Sequence, residues 1–210
     1  MSDTPCSGPV RLHFPQAESR QDWLAPLLDA YHATDRGVDE AIRREQRQGR
    51  TLACGKGCGS CCETHTTIPV YPLELVGLYW YATEQMEREI RERLRVSLRA
   101  FETEASCPFL LDGQCAVHPM RPMACRQFNV FGQSCAKGED AYHTRRGDVL
   151  TPIRRYQDEA FFHLLPFHGV KSKAERRRAI KKGTVHALAK VLQELDWGRL
   201  ADRMDAFDQG

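Results

Sequence analysis

Cys54-Gly55-Lys56-Gly57-Cys58-Gly59-Ser60-Cys61-Cys62 sets four thiols and three glycines within nine residues. Thiolates are soft ligands that suit zinc, copper(I) and iron–sulfur sites. Glycine lets the backbone take positive φ, so such a loop can wrap an ion and aim N–H groups at sulfur. The stretch reads as a metal loop. A second set follows, Cys107, Cys115, Cys125 and Cys135, with seven, nine and nine residues between them, so that eight of the nine cysteines fall in two quartets.

Adjacent side chains diverge, so Cys61 and Cys62 rarely fit one tetrahedral ion without strain. Either one of them is spare, or two centres lie side by side. The sequence is compatible with two four-sulfur centres, a polynuclear centre with bridging thiolates, or one cluster plus non-ligating cysteines. A divalent ion with four thiolates carries a formal charge of about −2. Lys56, Arg121 and Arg126, within or beside the ligand segments, are the candidate cations for binding such a cofactor.

Around this centre the chain reads as helix. Residues 1–19, with Pro5, Gly8, Pro9 and Pro15, form an expected loose leader that holds the ninth cysteine, Cys6. Residues 20–210 are expected as a single helical domain, with the cysteine module at 54–135. Trp23, Leu27, Tyr31, Val38 and Ile42 predict a helix over about 20–48, divided by Gly37 and stopped at Gly49. Ile68–Tyr71 reads as an extended connector, and Pro72 as the start of a short apolar helix. Met86, Ile90, Leu94, Leu98 and Phe101 mark a longer helix over 83–103, whose Glu–Arg pairs read as a solvated face. Residues 107–138 carry three prolines and the Asp112-Gly113 turn signal, an irregular segment that ligation would order. Thr151-Pro152, Ser172 through Glu175, and Thr184 are expected to cap three later helices. The fold class is mostly α, a helical domain around an irregular cysteine-rich metal-binding centre.

C-x3-C-x2-C-C, followed by Cys107-Pro-Phe-Leu, Gly113-x-Cys115-x-Val117-His118, Arg121-Pro122-x-x-Cys125-Arg126 and Cys135, resembles the YkgJ-type cysteine-cluster proteins, described as zinc- or iron-chelating domains. The resemblance implies that Cys54, Cys58, Cys61, Cys62, Cys107, Cys115, Cys125 and Cys135 are the ligands, with Arg121, Pro122 and Arg126 as companions. His118 stands where relatives often have tyrosine, which points to packing or a supporting contact rather than ligation. Members are commonly labelled iron–sulfur oxidoreductases, and the motif also occurs in flagellin lysine methylases. The flanking helices carry no recognisable methyl-donor pocket, so the methylase role is not transferred.

The remaining composition narrows the field. A formal charge of +2, from 30 basic and 28 acidic residues, does not point to nucleic acid or to membrane. No run of 18 apolar residues spans a bilayer. The first residues have neither a basic start nor an apolar run, so a reducing cytoplasm is expected, where clustered cysteines mean metal more often than disulfides. Lys171–Lys182 holds seven basic residues and one acid, a solvated helix or a face for a protein partner. The expected protein binds an iron–sulfur cluster or zinc, with iron favoured. It has a redox role, or is a zinc-organised module for a protein or RNA partner, or is a metal chaperone, store or thiol sensor. No acid–base pair identifies a substrate.

Overall fold

The computed structural model describes residues 8–103 and 106–210, and Cys6 lies outside them. In chain order the first helices are α1 (Pro15–Glu18), α2 (Leu24–Arg47), α3 (Ser60–Thr64), α4 (Pro72–Trp80) and α5 (Arg88–Arg99). They are followed by α6 (Met123–Gln127), α7 (Ala141–Thr144), α8 (Arg154–Leu164), α9 (Lys173–Lys182) and α10 (Gly198–Gln209). Among the described residues four two-residue strands make two antiparallel pairs, β1 (Pro69–Val70) with β4 (Lys190–Val191), and β2 (Leu110–Leu111) with β3 (Gln114–Cys115). The protein is mostly α.

Where one domain over 20–210 is expected, the chain gathers into two compact units. The first contains the residues up to Arg50 and returns with Leu150–Ala187; the second contains Thr51–Val149 and Leu188–Gly210. The cysteine segment lies wholly in the second.

In the first unit α2 runs unbroken through Gly37 and packs along α8. The expected division at Gly37 is replaced by a close approach. A Cβ added there would sit 2.7 Å from Tyr156 Cβ. The buried stripe is Leu24, Leu27, Leu28, Tyr31, Thr34 and Ala41, while Val38 and Ile42 are only half-buried. At Gly37 the missing side chain is what lets Tyr156 of α8 come this close. Gly49, at φ 83°, ends α2 as expected. Residues 8–19, expected to be loose, are held by Arg11, which pairs with Glu18 at 2.9 Å and Asp29 at 2.6 Å. Thr151-Pro152 does not cap α8, whose N-cap is Ile153. Ser172 does cap α9, its Oγ accepting from Glu175 N at 3.2 Å.

In the second unit the helix expected over 83–103 is shorter, because a π-helical turn, Tyr81–Gln85, separates α4 from α5. The arginine-rich face of α5 is also not simply solvated. Arg91, 7% exposed, pairs with Asp208; Arg95 pairs with Asp205, and Arg99 with both Asp202 and Asp205. These acids belong to α10, so the charges fasten two helices together. Thr184 begins a 3-10 turn rather than the last helix, which starts at Gly198 after β4. Trp197 anchors this return. It is 2% exposed, its Nε1 donates to Leu192 O at 2.9 Å, and Phe109 from the cysteine segment meets its ring edge-on at 4.7 Å.

Gly37→Ala decides what the glycine does. If Gly37 were only a weak point in α2, alanine would stabilise by about 1 kcal/mol. The contact with Tyr156 instead predicts a loss of about 1–3 kcal/mol in thermal or urea unfolding.

Candidate metal centre

The cysteine segments are joined by backbone before their sulfurs meet. Gly57, at φ 81°, turns the loop into α3. Gly59 then presses against the β2–β3 hairpin so closely that a Cβ would fall 2.1 Å from Gly113 O. The hairpin turn, Asp112 at φ 50° and Gly113 at φ 75°, is the one its sequence announces. Cys107 N donates to Cys62 O at 2.7 Å, and Ala53 N to Val130 O at 2.8 Å. Bridges between Leu52 and Phe131 and between Val130 and Val149 complete the frame.

All eight candidate cysteines are free thiols. They do not group as the sequence orders them. The Cys62 thiol interacts with those of Cys107 and Cys115, and Cys125 lies in the electrostatic field of Cys62 and Cys61. Cys135 instead interacts with Cys54 and Cys58 across the chain, and Cys54 with Cys58 and Cys61. Cys54 and Cys135 also pack on one small core, Val130, Ala141 and Val149. These interactions associate Cys54, Cys58, Cys61 and Cys135 on one side and Cys62, Cys107, Cys115 and Cys125 on the other, with Cys125 also in the field of Cys61. A hydrogen bond between Cys61 and Cys62 links them. Among the described residues, no three His, Cys, Asp or Glu side chains are placed to hold an ion as they stand. The sulfurs meet pairwise, through Cys62.

This mutual contact sets their acidities. The Cys62 hydrogen bond holds the Cys115 thiol down, against burial, and Cys62 is lowered by its bond with Cys107. Cys107 and Cys61 are pushed up by contact with Cys62 and by burial. Burial alone is the main cause at Cys125, Cys54 and Cys135. Val130 N donates to Cys54 Sγ at 3.3 Å, a backbone donor aimed at sulfur.

The candidate cations divide by position. The Arg121 charge favours the thiolate forms of Cys54, Cys61, Cys115 and Cys125, so it reaches both groups. Its Nε is buried without an acceptor, and its Nη1 lies 2.8 Å from His118 Nε2. Arg126 is buried and donates to the carbonyls of Arg121 and Pro119. Lys56 is exposed on the turn before Gly57.

Two residues near the sulfurs carry no sequence signal. Arg145 Nη2 approaches Cys135 Sγ at 3.9 Å, fixed there by Glu139 at 2.8 Å and Asp148 at 3.2 Å. Glu74 is fully buried. Its two oxygens accept from Tyr71 N at 2.9 Å and Met123 N at 2.7 Å, joining the N-termini of α4 and α6, the helix that carries Cys125. A buried Glu inside an apolar helix is visible in sequence only as an exception to the pattern.

Residues 53–146 match the model of the CxxCxxCC family, described as "Putative zinc- or iron-chelating domain". The match covers the whole cysteine segment, Cys54 to Cys135. Metal binding is therefore the chemistry of the segment, and its resemblance to YkgJ-type proteins agrees with the match. The CxxCxxCC match runs past Cys135 and takes in Arg145. No curated protein and no solved structure matches the chain.

Two outcomes follow from the frame. Gly59→Ala must push the hairpin from α3, and so should lower both thermal stability and metal content, whereas Gly55→Ala, whose Cβ meets nothing within 4 Å, should change neither. Burial raises the Glu74 carboxyl from 4.5 to about 7, against the pull of its two N–H donors and Arg126. A group raised in the folded state stabilises below its unfolded value and loses that contribution as pH climbs through the folded value. Against Glu74→Gln at saturating metal, the parent should therefore lose up to about 3 kcal/mol of relative stability between pH 5 and 8. Parallel stability–pH curves for the two proteins would refute this.

Proposed function

We propose that this protein chelates zinc or iron through two neighbouring four-thiol centres, Cys54, Cys58, Cys61 and Cys135 in one, Cys62, Cys107, Cys115 and Cys125 in the other. The observation that carries the reading is the exchange of partners: the Cys107 amide donates to the Cys62 carbonyl at 2.7 Å, while Cys135 packs with Cys54 on the core of Val130, Ala141 and Val149. A vicinal pair that faces two ways suits two centres. The donor set fits soft or borderline metals, and the unpartnered Nε of Arg121 points to a negatively charged neighbour that two thiolate centres would provide. Lys56 would add charge from the rim, and Arg126 would act through the Arg121 backbone.

The two centres would differ in role. Cys62 and Cys107 are buried, whereas Cys58 is exposed and its companions are half-buried. The inner centre would organise the fold; the outer one suits metal that exchanges, as in a chaperone, store or sensor. With iron and sulfide in either centre, redox chemistry would come from the cluster itself. Lys171, Lys173, Arg177 and Lys181 are exposed on and beside α9 and offer a basic face to a protein partner.

Elemental analysis of anaerobically purified protein tests the reading. Iron with labile sulfide identifies clusters, and stoichiometric zinc identifies tetrahedral sites. Cys62→Ser and Cys107→Ser should each lose the same half of the metal, and together no more. Cys107→Ser with Cys135→Ser should lose all of it. The opposite pattern would restore the sequence quartets, and a metal-free protein would end the proposal.

A further inference from the structure

Beside the thiols the second unit encloses a cavity of about 560 Å³. Its wall includes Cys61, Cys62 and Cys125, sulfurs of both groups, and His65, Asp140 and His143. A divalent ion with six waters, at about 30 Å³ each, needs about 180 Å³. The space therefore admits a hydrated ion with room for ligand exchange.

The lining favours a cation. Among the described residues no Lys or Arg lines the cavity, while a carboxylate, two imidazoles and three sulfurs do. These donors are graded with depth. The His143 side chain is 76% exposed and lies 3.8 Å from Asp140 Oδ2. Asp140 is 24% exposed and His65 15%, with His65 Nε2 3.0 Å from Asp140 Oδ1. His65 N in turn donates to Cys61 O at 3.1 Å, and both residues line the same cavity.

The polar groups are also fixed. Asp140 caps α7 by accepting from Tyr142 N at 2.8 Å. His65 stands edge-on to Phe128 at 4.3 Å, and its carbonyl accepts from Gln193 Nε2 at 2.7 Å. Gln193, 1% exposed, accepts from Ile68 N at 3.2 Å and so braces the wall from behind.

We propose that His143, Asp140 and His65 form a transient binding path by which a divalent cation reaches the buried thiols. This inference rests on the chelation reading above. Oxygen and imidazole donors bind a borderline ion first, and the thiolates at the inner end hold it more firmly, so the ion is drawn inward. The ion sheds water stepwise, and each thiol that takes it releases its proton to solvent.

The test uses the zinc-loaded full chain and follows exchange of bound zinc with an enriched zinc isotope by mass spectrometry, because a path in is also a path out. His65→Ala with His143→Ala should slow exchange by about tenfold, with zinc content and melting temperature unchanged. Added imidazole should restore the rate in the variant and not raise it in the parent. Asp140→Asn, which keeps a cap for α7, should slow exchange as well and serves if the double variant fails to fold. Exchange at the parental rate in the folded variants would overturn the path and leave chelation standing. Loss of zinc in the variants would also overturn it, by making these groups resident ligands. A parent that takes up no zinc would overturn the path and chelation by zinc alike.

Discussion

Successive residues on a helical turn point about 100° apart, and at Cys61–Cys62 this constraint divides the whole centre. On the short helix α3, one sulfur must face the loop it came from and the other must face away. Cys62 faces the hairpin segment, where Cys107 and Cys115 bond to it and Cys107 N fastens to its carbonyl. Cys61 remains with the loop. Everything in the frame, from the pressed contact of Gly59 on Gly113 to the bridges at Leu52 and Val130, serves to bring distant chain to the two sides of that pair.

The charge balance follows from the same crowding. Contact with Cys62 and burial push the Cys107 and Cys61 thiols up, while contact with Cys62 holds the Cys115 thiol down. Arg121 is the one cation among those read from the sequence whose field is felt in both groups. Arg145 brings a second charge to the outer group from a helix end beyond the last cysteine. Glu74 does the reverse: it carries an acid into the interior, and the two helix starts it holds offset part of the cost.

Much of this was legible in the residues. The cysteine spacing and the neighbouring motifs announced a chelating module, Asp112-Gly113 its hairpin, Pro72 a helix start and Ser172 a cap. What failed to show were relations between remote segments. Arginines on α5 carry no mark of the aspartates more than a hundred residues later that pair with them. Gly37 looks like a break until Tyr156 is seen against it. The regrouping of Cys62 and Cys135 could not be read either, because sequence order counts neighbours along the chain and thiols count them in space. Thr151 and Thr184 had the chemistry of caps, but the helices began further on, at Arg154 and Gly198, where packing set them.

The interrupted course of the second unit has a consequence during synthesis. Its helix α10 follows only after the 38 residues Leu150–Ala187 that belong to the other unit. At roughly 5–20 residues per second, the thiols leave the ribosome several seconds before the aspartates that lock α5 have been made. For that interval the nascent cysteines wait beside an unfastened helix, and the moment of metal capture is tied to translation speed.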